Sequence, residues 1–397
     1  MKIIISGGGI GGLTAALCCL HFGHEVIVLE RAEDLGEVGA GIQVPPNAMK
    51  VFEALGLADA FDETGFRPQA LEARMGQSGR PLFSIPLGEA GLKRWGSPYF
   101  HIHRADYISL LEEAVRKRSP EAVRLGVDVI GFSQTETQIS AKLADGSEIA
   151  GDILIGADGI HSATRTQMLG PDTPNFTGNV AWRAVVPIEK LGKHAPDPTA
   201  CVWMGAGKHC VTYRLRRGTL ANLVAVVETD DWISEAWTQR GSREEALAEF
   251  SDWHPTIRAM IETADAHYRW ALFDREPLKT WVDGRAALLG DAAHPMLPFM
   301  AQGAAMAVED AWVLAQEITD SDNTPAALKT YEQKRYARAS EVQAGSRANA
   351  NTFHKRAAGA QFATYGPMWL AGKIAPSIIY RRQDPIYKYD VTALSES

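Results

Sequence analysis

The sequence lacks the features that mark secreted, membrane-spanning and nucleic-acid-binding proteins. Only four cysteines occur in 397 residues, without a CxxC pair, so we expect reduced thiols in a cytoplasmic protein. No apolar run approaches the roughly 20 residues that a membrane helix needs. The net charge of −8 is not offset by a basic block, which argues against a nucleic-acid partner. An anionic substrate would therefore need a local positive site.

The hydrophobic pattern predicts a βαβ unit at the start of the chain, from a strand at 2–6, a helix at 13–22 and a strand at 25–29. Further helices are predicted at 47–55, 105–118 and 303–319. Residues 148–155 are predicted to form one returning strand, and residues 286–289 another buried strand. Between 180 and 228, four β-rich segments separated by turn residues predict an antiparallel sheet. The fold class is therefore α/β, with a β-rich layer inserted into a Rossmann-like domain.

Gly7-x-Gly9-x-x-Gly12 lies between the first strand and the first helix, the context in which this pattern binds a dinucleotide. The first glycine permits the tight turn, the second lets the backbone approach a pyrophosphate, and the third lets helix and strand pack closely. Glu30 ends the second strand, where its carboxylate can accept hydrogen bonds from ribose hydroxyls. This part of the sequence alone indicates only a dinucleotide.

The other end of the chain favours FAD over NAD as the bound dinucleotide. The segment 290–295 follows a buried strand, and an apolar helix begins near Gly303. The unpaired N–H groups and positive dipole of that helix start suit the negative charge of a reduced flavin. Asp291 is well placed to bind ribityl hydroxyls. A plain nicotinamide dehydrogenase has no need of this second site.

Three segments together resemble the flavin fingerprints of the single-component aromatic hydroxylases. They are the glycine motif with Glu30, residues 156–159 with Arg165, and residues 290–295, in matching order from residue 1 to about 319. Closer detail at 39–43, 46–48, 103–106 and 300–303 is similar to the branch that holds salicylate hydroxylase, 3-hydroxybenzoate 6-hydroxylase and 6-hydroxynicotinate 3-monooxygenase.

The resemblance implies a para-hydroxybenzoate hydroxylase-like fold, bound FAD, NADH or NADPH as electron donor, and hydroxylation of a small aromatic acid or phenol by O2 through a C4a-hydroperoxyflavin. It implies FAD-binding parts at 1–70, 101–179 and 276–330, substrate parts at 71–100 and 180–275, and a C-terminal helical region at 331–397. The expected cofactor-binding residues include Gly7, Gly9, Gly12, Glu30 and Asp291, named above. The others are Arg31, Gly41, Ile42, Arg104, Asp158, Gly303 and Ala304. The sequence leaves the oligomeric state open, with a homodimer as one option, and no metal is assigned.

His209 and Tyr213 are the predicted catalytic residues. Electrophilic oxygen transfer needs an electron-rich ring, so the site should favour the phenolate and exclude water. On a strand the two residues, four apart, face the same side, and the resemblance places a His and a Tyr at matching positions in the hydroxynicotinate branch. The alternative is that His209 is exposed at a turn and Tyr213 is a core residue.

Gln43, Gln302 and Pro295 are predicted to contact the substrate. Gln302 could instead cap the helix that follows it. Gln43 stands where the pyridine-hydroxylating pattern carries His, which favours a hydroxybenzoate over a hydroxypyridine. The alternative functions are an oxygen-independent flavoprotein dehydrogenase or reductase, a hydroxypyridine or quinone-precursor hydroxylase, and a flavin-binding scaffold that docks through residues 368–380.

Overall fold

The computed structural model describes residues 1–36, 41–229 and 240–396. Its strands, in chain order, are β1 (Lys2–Ser6), β2 (Glu25–Glu30), β3 (Gly41–Val44), β4 (Ala70–Met75), β5 (Pro81–Pro86), β6 (Phe100–His103), β7 (Val123–Leu125), β8 (Val129–Gln134), β9 (Ile139–Leu143), β10 (Glu148–Gly151), β11 (Ile153–Gly156), β12 (Asn175–Pro187), β13 (Ala200–Gly205), β14 (Lys208–Leu215), β15 (Leu220–Glu228), β16 (Tyr268–Asp274), β17 (Val282–Asp283) and β18 (Ala286–Leu288).

The α-helices in the same residues are α1 (Ile10–His21), α2 (Pro46–Ala54), α3 (Ala58–Thr64), α4 (Glu89–Trp95), α5 (Arg104–Arg118), α6 (Ala163–Leu169), α7 (Ile188–Leu191), α8 (Arg243–Glu249), α9 (Pro255–Thr263), α10 (Gly303–Thr319), α11 (Thr324–Phe353), α12 (Ala358–Ile374), α13 (Pro376–Arg381) and α14 (Asp384–Tyr387). The helices predicted at the start, near residue 50, near residue 110 and at 303–319 are all present.

A six-stranded sheet in the order β17-β18-β11-β1-β2-β7 forms the centre of the nucleotide-binding half. All its neighbours are parallel except β17 and β18. The middle strand β1 reads as a continuous apolar run, and Ile3, Ile4 and Ile5 are fully buried. Such a run is typical of a parallel strand covered on both faces, here by the cluster that includes α1, α5 and α10 and by the small sheet of β8, β9 and β10.

The prediction of one strand at 148–155 is wrong, because the chain changes sheet there. β10 pairs with β9 in the three-stranded sheet, whereas β11 pairs with β1 in the six-stranded sheet. Gly151 lies at the crossing, where a Cβ would come within 2.9 Å of both the Lys2 carbonyl oxygen and the Ile4 side chain. Asp152 then bonds the start of β1, with its backbone N–H donating to Lys2 O and its carboxylate accepting from Lys2 N.

The second layer is a seven-stranded sheet in the order β16-β12-β15-β14-β13-β4-β5. Its neighbours are antiparallel as predicted, except that β13 runs parallel to β4. β4 and β5 come from residues 70–86, and they extend the sheet that the strands between residues 175 and 274 form. Their junction with that sheet is the parallel pair of β4 and β13. β12 begins at Asn175, before the predicted boundary at residue 180. The boundaries proposed for the individual parts stay predictions.

The C-terminal helices join the two layers. α11 is 30 residues long and packs against α10 and against the segment that precedes α10. α12 covers β5, where Met368 and Trp369 pack against the cluster of Ala73, Leu82 and Met204. Residues 368–380 therefore contribute to packing within the chain, although Ile374 and Ile378 remain exposed. In the described part of the chain, no helix has the length and apolarity needed to cross a membrane.

Candidate active site

The glycine loop between β1 and α1 has the geometry of a dinucleotide cradle. Gly7 adopts a φ of 107°, which strains any residue with a Cβ. A Cβ at Gly12 would lie 1.9 Å from the Gly7 carbonyl oxygen, so helix and strand approach closely only with glycine there. A Cβ at Gly9 would instead meet no atom within 4 Å. The loop is thus tightly packed on the protein side and open where a ligand would approach.

Glu30 lies at the end of β2 beside this loop. Its Oε2 accepts from Gly8 N at 2.6 Å, and its Oε1 accepts from Ala32 N at 2.9 Å. Each carboxylate oxygen keeps a second lone pair, which a ribose hydroxyl could use. Arg31 follows on the exposed surface of the same turn. The predicted adenosine side of the site is therefore assembled from residues close together in sequence.

Residues 157–162 form a second loop at the same edge of the parallel sheet, between β11 and α6. Asp158 Oδ2 accepts from the backbone N–H and the hydroxyl of Thr164, both at 3.3 Å. Its Oδ1 is buried and has no hydrogen-bond partner among the described residues. Arg165 is buried and donates to the carbonyl oxygens of Ile160 and Ala292. Arg165 therefore ties this loop to the segment that begins at Gly290.

Asp291, from that segment, lines a cleft. Its side chain is accessible to solvent. Burial in the surrounding protein nevertheless raises the pKa of its carboxyl, against the opposite effects of His294 and Arg104. An accessible carboxylate in dense surroundings is suited to hold ligand hydroxyls. Arg104, the first residue of α5, lies close enough to influence it.

His294, from the same segment, holds the loop instead of facing a ligand. Its Nε2 lies 2.5 Å from Asp310 Oδ2, and Asp310 also accepts from Gly290 N and from Arg335 Nε. All of these side chains are buried. Burial alone would raise the pKa of Asp310, but His294 and Arg335 outweigh it and lower the pKa. A buried, fully paired carboxylate of this kind fixes the loop on α10.

The first turn of α10 follows the segment that lines the cleft. Gly303 and Ala304 are partly exposed, and the first turn carries no acidic side chain. Gln302 occupies the N-cap position, but its side chain does not cap the helix. Its Oε1 accepts from Asn47 Nδ2 at 3.0 Å. The first N–H groups of the helix are therefore available to an anionic or polar ligand edge.

One face of the seven-stranded sheet carries a row of partly exposed residues. The register aligns Val202, Val211, Val224 and Arg183 in one row across β13, β14, β15 and β12. All four are partly exposed although they lie on interior strands. His209 and Tyr213 lie in the rows on either side, and both are buried. The sheet thus offers an apolar floor with a polar side chain beyond each end.

His209 is not exposed at a turn. It is 1% exposed and packs edge-to-face on Phe299, with ring centroids 4.9 Å apart. Its Nδ1 lies 2.6 Å from Nε2 of His354, at the end of α11. Burial, and next the neighbouring His354, lower the pKa of His209 well below its ordinary value. His209 is therefore a neutral imidazole at neutral pH.

Tyr213 lies where the seven-stranded sheet contacts β3. A Cβ at Gly41 would come within 2.4 Å of the Tyr213 ring, and Gly41 N donates to Asn222 Oδ1 at 3.0 Å. Burial raises the pKa of Tyr213, which Arg183 opposes. On β3, Ile42 packs against the main core, and Gln43 Oε1 accepts from the Tyr99 hydroxyl at 2.6 Å. Gly39 and Ala40, the start of this motif, lie outside the described residues.

The segment from Pro295 to Phe299 is held by side chains of α11. The sequence analysis did not predict these contacts. Gln343 donates to Pro295 O at 2.8 Å, Ser346 to Leu297 O at 2.5 Å, and Asn349 to Phe299 O at 3.0 Å. Residues three apart on the helix therefore bind alternate carbonyls of the segment from Pro295 to Phe299. Pro295, a predicted substrate contact, is fixed in position by this ladder.

Arg183 places a positive charge in the cleft, and the sequence analysis did not single it out. Its guanidinium carbon lies 3.9 Å from the Trp270 ring centroid, a cation–π arrangement. Both residues line a cleft with Asp291, Pro295 and Leu297. The cleft thus joins the cofactor side of the site to the sheet.

Comparison with known proteins agrees with this geometry. The model of the FAD binding domain family matches residues 1–346. A 3-hydroxybenzoate 6-hydroxylase of Aquipseudomonas alcaligenes is 39% identical over 346 residues, which cover 87% of this chain and 88% of that protein. A 3-amino-4-hydroxybenzoate 2-monooxygenase of Streptomyces platensis is 37% identical over 354 residues, 89% of this chain and 88% of its own. The crystal structure of Klebsiella pneumoniae HpxO with FAD and uric acid has a TM-score of 0.86 and 29% identity, covering 98% of this chain and 97% of that one.

The chain belongs to the FAD binding domain family and, within it, to the FAD-dependent aromatic hydroxylases of the para-hydroxybenzoate hydroxylase-like fold. FAD is its cofactor, and NADH or NADPH is the electron donor typical of the group. The open space at Gly9, the unpartnered Asp158 Oδ1 and the accessible Asp291 fit that cofactor. The alternative of an oxygen-independent reductase has no support among these relatives. The roles of individual site residues stay predictions.

Proposed function

We propose that this monooxygenase hydroxylates a small aromatic acid that carries a phenolic hydroxyl, of the hydroxybenzoate or salicylate class. The partly exposed valine residues in the middle of the sheet carry this proposal, because apolar side chains on interior strands that stay accessible can line a pocket for an aromatic ring. Val211 and Val224 can bury an aromatic ring, and the flanking polar residues can bind its substituents. The names of the hydroxybenzoate relatives are consistent with this class.

His209 and Tyr213 contact opposite ends of the substrate ring in this proposal. Four residues along a strand span about 13 Å, more than one benzene ring, so both cannot bind the same hydroxyl. The neutral His209 can accept a phenolic proton and so favour the phenolate. Tyr213, packed on Gly41 and opposite Asn222, shapes the end near β3.

Arg183 is suited to the carboxylate of the substrate. It is the charged member of the floor row, and it stands over Trp270 in the cleft. A guanidinium binds a carboxylate through two parallel hydrogen bonds, which would orient the ring as well as hold it. The negative net charge of the chain makes such a local site necessary for an anionic substrate.

Bound FAD would accept electrons from NAD(P)H and use them to activate O2. The chain's own residues orient the ring, remove its proton and exclude water. Phe299 and Leu297 lie buried over the sheet with Trp270 and Val226, and the ladder from α11 fixes the carbonyls of both loop residues. An apolar cover of this kind limits hydrolysis of reactive species.

A substrate screen tests the proposal. NADH and NADPH oxidation, O2 uptake, H2O2 release and product identity would be measured together with hydroxybenzoates, salicylate, anthranilate and hydroxypyridines. We expect a hydroxybenzoate or salicylate to accelerate NAD(P)H oxidation and to yield a hydroxylated product. Acceleration confined to hydroxypyridines, or flavin reduction without O2 uptake, would contradict it.

The cytoplasm as location and a homodimer as assembly are part of the same proposal. All four cysteines are buried thiols without a disulfide, which suits a reducing compartment. Phe362, Leu370 and Ile374 are exposed apolar residues on α12 that a second subunit could cover. Light scattering of the purified protein would distinguish monomer from dimer.

A further inference from the structure

A chain of three ionisable side chains leads from His209 to the molecular surface. His209 Nδ1 lies 2.6 Å from His354 Nε2, and His354 Nδ1 lies 3.0 Å from Glu228 Oε1. The side chain of His354 is 1% exposed and that of Glu228 is 33% exposed. Glu228 lines an open polar cavity with Asn179 and Arg356. The path therefore starts inside the protein and ends in contact with solvent.

The direction of each hydrogen bond follows from the chemistry of the groups. A carboxylate only accepts, so His354 donates from Nδ1 to Glu228. A neutral His354 then has a lone pair on Nε2, so His209 must donate from Nδ1. His209 is left with an unprotonated Nε2, to which no described residue hydrogen-bonds. The arrangement thus leaves Nε2 of His209 with a lone pair that can accept a proton.

Both rings are neutral in this arrangement. Burial lowers the pKa of His209, and His354 lowers it further. Burial also lowers the pKa of His354, which Glu228 partly opposes and Arg356 reinforces. The other residues against the His209 ring, Phe299 and Phe353, carry no charge. Each ring therefore carries a single proton, on Nδ1, and neither holds a second one.

We propose that His209, His354 and Glu228 form a proton relay that carries the phenolic proton of the bound substrate to solvent. The phenol O–H bond breaks and a bond forms to His209 Nε2. The Nδ1 proton of His209 passes to His354 Nε2, and the Nδ1 proton of His354 passes to Glu228 and then to water. One proton leaves the phenol and one reaches solvent, and both rings exchange tautomers. Reprotonation of the product along the reverse path resets them.

This inference rests on the proposed function, since it assigns the phenolic hydroxyl to the His209 end of the cavity. It adds two positioning residues, His354 and Glu228, that lie outside the proposed substrate cavity. His354 and Glu228 act only through His209, so their replacement should leave FAD binding and flavin reduction intact.

The test uses Glu228→Gln and His354→Gln in the FAD-loaded protein. The amide at 228 keeps a hydrogen-bond acceptor but cannot take up a proton, and the amide at 354 cannot exchange tautomers. Arg356→Gln is the matched control, because Glu228→Gln also breaks the ion pair between these residues. Proton release and phenolate absorbance would be followed by stopped flow on mixing with 4-hydroxy-3-nitrobenzoate, together with product yield on the substrate found by the screen.

We expect both glutamine variants to release the proton at least about tenfold more slowly and to lose coupled hydroxylation by up to about 100-fold, the lower end of general base effects. The control should stay within about twofold, since exposed ion pairs contribute little. Added imidazole should partly restore His354→Ala.

Parent rates of proton release and unchanged coupling in both glutamine variants would overturn the relay while leaving the hydroxylase function intact. A parent protein that hydroxylates no ring in the screen would instead remove the proposed function and the relay with it.

Discussion

The two halves of the active site are built over different distances along the chain. On the cofactor side, the glycine loop contacts Glu30 through a bond between Gly8 and Glu30, only 22 residues apart. On the substrate side, His209 meets His354 across 145 residues and Gly41 meets Asn222 across 181. A dinucleotide cradle is thus nearly complete in one βαβ unit, whereas the substrate site exists only after the whole chain has folded.

This difference determines what each half can vary. The loop from Gly7 to Gly12 is constrained by backbone contacts, so few residues can occupy it. The floor of the sheet is constrained only by the face that each residue presents, which leaves the side chains free to suit different rings. Cofactor chemistry and substrate choice therefore reside in separable parts of the molecule.

The largest expected effect is the loss of FAD in Gly9→Val. Gly9 has a φ of −76° that valine tolerates, and a Cβ there meets no protein atom within 4 Å. The variant should fold, with its side chain occupying the space where the pyrophosphate approaches. We expect FAD affinity to fall by about 100-fold or more, a loss of nearly 3 kcal/mol. Gly359→Val, also with open space around the Cβ, is the control, and flavin absorbance after gel filtration is the measurement. A yellow Gly9→Val protein would contradict this view of the loop.

The same contrast explains what the sequence could predict. The βαβ unit, the α10 span and the strands around residues 200–228 follow from local periodicity and turn residues, and the structure confirms them. The sheet change at Gly151 could not be predicted, because it depends on contacts with β1. The parallel pairing of β13 with β4 joins segments over 100 residues apart and leaves no local signal.

The site shows the same division. Gly7, Glu30 and Asp291 were predicted from motifs, and the structure brings them to one edge of the parallel sheet. Arg183 was missed, although the alternation of side chains along residues 181–185 could have placed it on the sheet face that also carries His209. Gln343, Ser346 and Asn349 stand three apart on α11, a spacing that predicts one helix face but not what that face binds.

His209→Ala should give the second largest effect and should spare the cofactor. FAD content and substrate-stimulated flavin reduction should stay at parent levels, because His209 contacts the sheet and α11 and not the glycine loop. Hydroxylation should fall by about 100-fold or more, with NADH diverted to H2O2, since the ring is no longer activated. Lys208→Ala, next along the strand on the opposite face, is the control. A fully coupled His209→Ala enzyme would return His209 to a packing role.

Arg183→Gln should weaken binding of the acid without altering FAD. Loss of a charged hydrogen-bond partner costs about 1.5 to 3 kcal/mol, so the KM for a hydroxybenzoate should rise by roughly tenfold or more. A phenol without a carboxylate should bind both proteins equally, which separates charge recognition from packing on Trp270. Arg67→Gln, at an exposed ion pair with Asp62, serves as the control. Equal losses for the acid and the neutral phenol would assign Arg183 to packing.

The smallest effect should come from Ser346→Ala, and it tests whether the two halves are as separable as their chain distances suggest. Ser346 belongs to neither half, but its hydroxyl holds Leu297 O in the loop that joins Asp291 to α10. Losing this buried bond should cost about 1 kcal/mol of stability, seen as a lower midpoint of urea unfolding. The loop faces both sites, so FAD affinity and coupling should each decline slightly and together. Ser251→Ala, at an exposed hydroxyl, is the control. A change in only one of the two readouts would mean that α11 supports one half alone.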